Sequence, residues 1–306
     1  MERITVIANP VASQFTGGAH RDVMAELASR HEVNAVWPGA AADATAASIQ
    51  AVEDGATIVV AMGGDGMVHH VAQGLVGTDT ALGVVPAGTT NVVARLFDIP
   101  SKHTRAAKLI AEAPPPRRVG TVRLVLDRGN TETVHHAVFA CGLGLDAEVV
   151  RVADGDPYRK YRFGSLHYAR SALGVGMTSH PSVKPHVSFA AGQRQAHGTT
   201  ALVQFRSVYT YFGKIALRFN DDAPDPMSVL ILERLRRRRI PKIFLRALLH
   251  RDLAAVKGFE VWPDLSEFSF EADPAVAVQA DGEGLGLVDG GAVVWDPDSL
   301  LLLGGR

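Results

Sequence analysis

The chain has 306 residues, of which 47% are hydrophobic and 21% are charged, and its formal net charge is −1. This composition excludes disordered and fibrous chains, and the near-zero charge excludes an overall attraction to nucleic acid. Because the length exceeds what one hydrophobic core usually holds, we expect two domains. The single cysteine, Cys141, excludes an internal disulfide and is typical of a reducing compartment.

The first residues predict a strand and lack the basic start and apolar core of a signal peptide. No uninterrupted apolar stretch is long enough to span a bilayer. We therefore expect a cytoplasmic protein without a membrane-spanning segment.

Strands and helices are predicted to alternate through the first third of the chain. Short, uncharged, β-branched runs predict strands at residues 3–8, 32–37, 57–61 and 81–85. Amphipathic stretches predict helices at residues 19–30, 43–54, 67–76, 91–97 and 104–112. Such alternation is typical of a parallel sheet with helices on both faces.

The pattern changes at residues 113–118, where consecutive prolines break any helix. The strands predicted beyond them cover residues 119–127, 132–140, 184–190, 196–206, 213–219, 227–233, 255–262, 266–272 and 275–280. They indicate a β-sandwich or a related antiparallel domain. Within this half, residues 139–146 predict a strand and a turn around Gly142 and Gly144, for which the sequence indicates no role.

A glycine-rich loop follows the third predicted strand. Residues 63–66 read Gly-Gly-Asp-Gly and lead directly into a helix. Bare backbone N–H groups and the positive end of a helix dipole suit phosphate. The alternative is a tight turn whose aspartate only caps the helix.

A second loop of small residues follows the fourth predicted strand. Residues 88–91 read Gly-Thr-Thr-Asn and again precede a helix. A helix cap would explain Thr90 or Asn91. It would not explain two such loops at neighbouring strand ends, which is where parallel sheets bind their ligands.

Residues 63–66 together with residues 88–95 resemble the catalytic domain of the diacylglycerol kinase and sphingosine kinase family, in particular its bacterial lipid kinases. Residues 4–10 resemble the family's first strand with its Asn-Pro nucleotide loop, and residues 279–283 resemble its late Asp-Gly-Glu motif. The resemblance implies a doubly wound parallel-sheet nucleotide-binding domain at residues 1–118, to which residues 291–306 return. A β-sandwich lipid-substrate domain at residues 119–290 would follow, as in the NAD kinase and diacylglycerol kinase fold.

The resemblance also implies the chemistry, in which ATP donates its γ-phosphoryl group, with Mg²⁺, to the hydroxyl of diacylglycerol or a related lipid alcohol. Glu283 would be the catalytic base, and Asp65 would act near the phosphates. The implied nucleotide-binding residues are Asn9, Pro10, Val11, Ala12, Ser13, Gly63, Gly64, Asp65, Gly66, Met67, Val68, His69, Gly88, Thr89 and Asn91.

A further magnesium site is implied by an aspartate-rich loop. Asp225 matches the family's metal-binding aspartate, and Asp222 and Met227 take the flanking positions that bind through backbone carbonyls. Pro226 replaces the usual glycine. Closely spaced aspartates favour a hard cation.

Several residues depart from the family pattern and keep other functions open. Met67 replaces a threonine, and His69 replaces an asparagine. Pro38 lies near the position of a threonine that lines the nucleotide pocket. One alternative is therefore a lipid- or nucleotide-binding homologue without catalysis. The other is an NAD kinase-like enzyme, because that family shares the Gly-Gly-Asp-Gly loop.

Residues 235–251 predict a basic amphipathic helix that carries four consecutive arginines, Arg236, Arg237, Arg238 and Arg239. Such a helix can dock on an anionic bilayer, so we expect peripheral contact with the inner face of the membrane and a membrane lipid as substrate. The alternative is a surface helix whose apolar face packs on the sandwich. No aromatic residues interleave the arginines, which argues against nucleic acid, and a homodimer remains open.

Overall fold

The computed structural model describes residues 1–154, 184–212, 215–218, 226–236, 239, 243, 246 and 256–304. The chain divides into two compact units. The N-terminal unit comprises Met1–Thr121 and Asp296–Arg306, and the C-terminal unit comprises Val122–Trp295.

The N-terminal unit is built on a parallel sheet. Its strands are β1 (Arg3–Ala8), β2 (Glu32–Val36), β3 (Ile58–Gly63) and β4 (Ala81–Pro86). They lie in the order β2-β1-β3-β4, and every neighbouring pair is parallel. The end of β16 (Glu283–Leu302) adds a further parallel strand beside β4, where Leu302 pairs with Leu82.

Five helices belong to this sheet. They are α1 (Gly17–Ala28), α2 (Ala41–Glu53), α3 (Asp65–Gln73), α4 (Val92–Leu96) and α5 (His103–Ala111). Helix α1 packs against α5, and α2 packs against α3. Every residue of β3 and β4 is buried, as expected for β-branched strands in a parallel sheet that is covered on both faces. The predicted α/β architecture is confirmed.

The C-terminal unit is predominantly antiparallel. Its further elements are the part of β5 (Arg117–Arg128) from Val122 onward, β6 (Thr131–Ala137), β7 (Ala140–Leu143), α6 (Leu145–Asp154), β8 (Val187–Ala191), β9 (Arg194–Gly198), β10 (Thr200–Gln204), β11 (Thr210–Phe212), β12 (Ile215–Leu217), β13 (Met227–Leu232), β14 (Phe259–Leu265) and β15 (Glu267–Ala280). Neighbours along the order β14-β13-β10-β7-β15-β16 are antiparallel. The core of the unit is apolar and includes Phe189, Trp262, Phe268 and Phe270. The predicted antiparallel β region is confirmed.

Two elements differ from the predicted ones. Helix α6 follows β7 directly, where the glycines predict only a turn; Ala147 and Val150 bury one side of its first turns. Strand β15 runs unbroken past Asp273 and Pro274, because a shift in its register with β16 between Glu271 and Val276 accommodates them. Among the described residues, the helices are too short or too polar to cross a bilayer.

Candidate active site

Three loops meet at the carboxyl ends of β1, β3 and β4. We call residues 9–15, 63–66 and 87–91 the loop cluster. The backbone N–H of Asn9 donates to Met62 O at 3.0 Å, that of Gln14 donates to Ala87 O at 2.9 Å, and that of Ala87 donates to Gly63 O at 2.8 Å. The structure therefore brings together the loops that the sequence analysis selected, at the sheet edge where α/β folds bind ligands.

Two glycines allow the second and third loops to touch. A Cβ atom on Gly88 would lie 2.6 Å from the Cα of Gly64, and one on Gly64 would lie 3.3 Å from the Cα of Gly88. At Gly63, a Cβ atom would lie 2.6 Å from the Cβ of Met67. Backbone therefore packs on backbone between Gly64 and Gly88.

Asn91 shapes the third loop from within. Its backbone is left-handed, with φ 49° and ψ 59°, a conformation that asparagine tolerates better than most residues. Its Oδ1 accepts from Gly88 N at 2.9 Å, and its Nδ2 donates to Gly88 O at 2.8 Å. Both ends of the amide are thus used to close the loop, while the neighbouring Thr89 is exposed.

Asp65 joins two helix starts. It is the first residue of α3, and its Oδ1 accepts from the backbone N–H of Val93 in α4 at 3.3 Å. A carboxylate is favoured at the positive end of a helix. Asp65 is half-buried, as are its neighbours Gly64 and Gly66 in the turn.

The other predicted residues of this helix face inward. Met67, Val68 and His69 are buried, with 7%, 2% and 2% of their surface exposed. In this segment, the turn at residues 64–66 is therefore the part that is accessible.

The first loop offers a polar atom that the fold leaves unsatisfied. Asn9 Oδ1 accepts from Val11 N at 3.0 Å, which tightens the turn beside Pro10 and Ala12. Ser13 Oγ is buried, and it has no hydrogen-bond partner in the described part of the chain. Since buried polar atoms are normally paired, Ser13 is suited to a bound polar group.

An aromatic cluster borders the first loop. The ring of Trp37, just after β2, lies 5.7 Å from that of Phe15 and 4.4 Å from that of His20. Burial lowers the pKa of His20, while Trp37 remains 48% exposed. The sequence predicts no role for this cluster. The one feature that could have indicated it is an aromatic residue, Trp37, directly after a strand.

The Asp-Gly-Glu motif forms the tight turn between β15 and β16. Asp281 and Gly282 have φ values of 54° and 83°, and Ala280 pairs with Glu283 across the turn. Two left-handed residues of the type Asp-Gly are favoured in two-residue hairpins. Glu283 follows directly and is half-buried.

The carboxylate of Asp281 points into the C-terminal unit. Its Oδ2 accepts from Val138 N at 2.8 Å, and its Oδ1 accepts from Phe139 N at 2.8 Å and from Ala140 N at 3.2 Å. Only 3% of Asp281 is exposed. The residue therefore anchors the turn to the segment before β7.

A half-buried arginine, Arg206, supports the same segment. Arg206 Nε donates to Val138 O at 3.1 Å, and its guanidinium lies over the rings of Phe205 and Trp295, at 5.3 Å and 5.9 Å from their centroids. Burial lowers the pKa of Arg206 to about 10, against the opposing charge of Asp281. Sequence reasoning missed Arg206, because nothing around residue 206 indicates a partner near residue 281.

The predicted second magnesium site falls mostly outside the described residues. Asp222 and Asp225 lie there, and Met227 is the buried first residue of β13. Among the residues that the structure describes, no group of three His, Cys, Asp or Glu side chains could hold a metal ion. Arg237 and Arg238 of the predicted basic helix also lie outside the described residues.

The loop cluster lies within the part of the chain that matches a known protein family. Residues 3–122 match the family model of the diacylglycerol kinase catalytic domain. A diacylglycerol kinase of Mycobacterium tuberculosis is 37% identical over 107 residues, which are 34% of this chain and 35% of that protein. The chain thus matches about a third of the length of this curated relative.

Solved structures extend the likeness to the whole fold. A diacylglycerol kinase of Bacillus anthracis str. Sterne superposes with a TM-score of 0.70 at 16% identity, covering 100% of this chain and 97% of the other. The yeast NADH kinase complexed with NADH superposes with a TM-score of 0.54 at 12% identity, covering 98% and 82%. At these identities, the likeness establishes the fold. The chain is therefore similar to the diacylglycerol kinase catalytic domain over residues 3–122, and it shares the fold of these solved kinases.

Proposed function

We propose that the protein is an ATP-dependent lipid kinase that phosphorylates the hydroxyl of diacylglycerol or a related lipid alcohol. The observation that carries this proposal is the backbone contact between Gly64 and Gly88, which presents two loops at one sheet edge beside the start of α3. Peptide N–H groups and a helix N-terminus together favour phosphate.

The N-terminal unit would bind the nucleotide. The turn at residues 64–66 and the loop at residues 87–91 would surround the phosphates, with the buried Ser13 Oγ as a hydrogen-bonding group from the first loop. Asn91 would act indirectly, because both ends of its amide hold Gly88.

Asp65 fits a magnesium ion that accompanies the nucleotide. It provides carboxylate oxygen, the ligand type that Mg²⁺ prefers, at an accessible turn. When bound, the ion would neutralise charge on the transferring phosphoryl group. Asp222 and Asp225, with the backbone of Met227, are proposed to hold a second magnesium ion.

Glu283 would be the general base. It would accept the proton of the lipid hydroxyl while that oxygen bonds to the γ-phosphorus and the bond to the β-γ bridging oxygen breaks. Asp281, anchored by three backbone N–H groups, would hold the turn that carries Glu283.

The C-terminal unit would receive the lipid. A cavity of about 220 Å³ in this unit is bordered by Val276 and Leu287, with Glu148, Arg151 and His186 among its polar neighbours. Apolar walls beside charged groups suit an acyl chain with a polar head. The segment Arg236–Arg239 would bring this unit to the inner face of the membrane.

The test is transfer of radiolabelled phosphate from ATP to a panel of lipid alcohols, with NAD as a competing acceptor. We expect label in lipid and none in NAD. Label in NAD would instead indicate an NAD kinase-like activity, which the fold shared with the yeast NADH kinase would also allow. Binding of ATP without transfer to any acceptor would indicate a homologue that has lost catalysis.

A further inference from the structure

The segment 139–146 holds a half-buried carboxylate, that of Asp146, which the proposed reaction does not use. We propose that Asp146 is a positioning residue which, through Gln279, fixes the turn that carries Glu283. This inference rests on the proposed function of Glu283 and deepens it.

Asp146, Tyr209 and Gln279 form a hydrogen-bonded cluster. Asp146 Oδ2 accepts from the hydroxyl of Tyr209 at 2.5 Å and from Nε2 of Gln279 at 2.5 Å. Gln279 Nε2 also lies 3.2 Å from the Tyr209 oxygen. The carboxylate thus takes two donors on one oxygen, one from β15 and one from the connection between β10 and β11.

Gln279 connects this cluster to the turn between β15 and β16. Gln279 Oε1 accepts from the backbone N–H of Gly282 at 2.8 Å. Gly282 lies between the anchored Asp281 and the proposed base Glu283. The hydrogen bond therefore holds the residue next to Glu283, in a turn whose two central residues are left-handed.

Asp146 decides which way the Gln279 amide faces. A glutamine amide has a donor end and an acceptor end. If it were reversed, Nε2 would face the Gly282 N–H and Oε1 would face the Asp146 carboxylate. With Asp146 in place, only one orientation satisfies both neighbours, and that orientation aims the acceptor at Gly282.

The glycines of residues 142–144 make room for this arrangement. A Cβ atom on Gly142 would lie 2.6 Å from Asp146 Oδ2 and 3.0 Å from the Tyr209 oxygen. Gly144 has φ +76°, and a Cβ atom there would lie 2.0 Å from Thr199 O. Residues 139–146, for which the sequence indicates no role, thus place the Asp146 carboxylate where it can bond Gln279 beside the turn.

Burial and charge are consistent with a purely structural acceptor. Burial raises the pKa of Asp146, and the hydrogen bonds from Tyr209 and Gln279 oppose that shift. Burial likewise raises the pKa values of the Cys141 thiol and the Tyr209 hydroxyl, and the nearby carboxylate of Asp146 raises both further. The hydrogen bonds of the cluster fix the position of the Gln279 amide, so we expect the cluster to act through geometry.

The test compares Gln279→Met and Asp146→Ala with Asp146→Asn. We expect the first two to lower kcat for lipid phosphorylation at least about tenfold with little change in the KM for ATP, because a misplaced base slows the chemical step alone. Asp146→Asn keeps an acceptor oxygen and should therefore retain most of the wild-type kcat. Val278→Ala is the matched control, since it removes buried volume from the same strand without touching the Gly282 hydrogen bond.

Hydrogen exchange of the peptide that spans residues 279–284 supplies a readout independent of activity. We expect exchange to accelerate in Gln279→Met and Asp146→Ala and to remain as in the wild type in Val278→Ala. Unchanged exchange, or an equal loss of kcat in the control, would overturn the proposal. If Asp146→Ala does not fold, Gln279→Met decides by itself. A wild-type protein without lipid phosphorylation would refute the proposed function, while the exchange data would still show whether the cluster holds the turn.

Discussion

The Asp65 carboxylate accepts a hydrogen bond from the backbone N–H of Val93 at 3.3 Å. This bond links the turn after β3 to the helix after β4, which are 28 residues apart in the chain. Asp65, which we expect to act near the phosphates, therefore also connects the two loops that would surround those phosphates. Charge and hydrogen bonding at this position can be separated, because asparagine retains the accepting oxygen but not the charge.

Asp65→Asn should abolish phosphoryl transfer and leave the fold intact. The amide oxygen of asparagine can still accept from Val93, whereas the negative charge near the phosphates and the metal is lost. Phosphorylation of lipid and the unfolding temperature should be measured on the same preparation. A residual rate above about a tenth of wild type, less than ~1.4 kcal/mol of barrier, would show that the charge is not needed. Asp65→Ala, which also loses the Val93 hydrogen bond, should lower the unfolding temperature as well.

Gly88→Ala should weaken ATP binding at least about tenfold and reduce the free energy of unfolding by roughly 1–3 kcal/mol, the usual range for an overpacked site. The added methyl would lie 2.6 Å from Gly64 Cα and 2.9 Å from Asn91 Oδ1, so the two loops must separate. Calorimetric titration with ATP measures the first effect, and denaturant unfolding the second. Gly17→Ala is the control, because open space surrounds that position. Equal ATP affinity in both variants would contradict the assignment of the loop contact.

The sequence was sufficient to predict the loop cluster because its signals are local. The β-branched run before Gly63 and the small residues after Pro86 each indicate a strand that ends in a loop, and parallel topology brings such ends together. The inward direction of the Asp281 carboxylate was not predictable in this way. Its partners Val138, Phe139 and Ala140 precede it by 141 to 143 residues, so only the tertiary pairing of β7 with β15 reveals them.

The same distinction applies to Met67 and His69. The sequence marks them as departures from a family pattern, while the structure shows that both side chains are buried on α3. Burial of a side chain depends on what packs over the helix, which a local motif does not specify. Residues 64–66 of the turn, by contrast, are half-buried and accessible.

The pH dependence of the free energy of unfolding should report the titration of the half-buried Asp146. Its pKa is raised in the folded protein from the ordinary value of 3.8, chiefly by burial, so the folded state binds this proton more tightly than the unfolded chain. The contribution of Asp146 to the free energy of unfolding therefore falls as the pH rises through the unfolded-state pKa, and it levels off above the raised folded-state pKa.

Asp146→Asn removes this titration. The wild-type free energy of unfolding minus that of the variant should therefore decrease as the pH rises from about 4 towards neutrality. Denaturant unfolding at a series of pH values measures both proteins under the same conditions. A difference that does not vary with pH would mean that Asp146 titrates in the folded protein as it does in the unfolded chain.

Replacing Arg236, Arg237, Arg238 and Arg239 by Gln should weaken binding to anionic vesicles and slow the phosphorylation of bilayer-embedded lipid. Each cation near an anionic leaflet contributes on the order of 1 kcal/mol, so the loss of four can shift partitioning by orders of magnitude at low salt. The difference from wild type should diminish as salt rises, because the Debye length shortens. Vesicle sedimentation at several salt concentrations measures binding, and kinase assays on the same vesicles measure turnover.

Two controls separate membrane docking from general effects of charge or folding. The first removes four exposed arginines elsewhere, namely Arg21, Arg30, Arg105 and Arg123. It changes the net charge equally and should leave more vesicle binding intact than the Arg236–Arg239 variant does. The second control is a short-chain, water-soluble lipid alcohol, whose phosphorylation requires no docking and should hardly change. If both substrates lose rate equally, or if both sets of substitutions weaken vesicle binding alike, the arginine run is not a docking element, since a docking element acts only where a membrane surface carries the substrate.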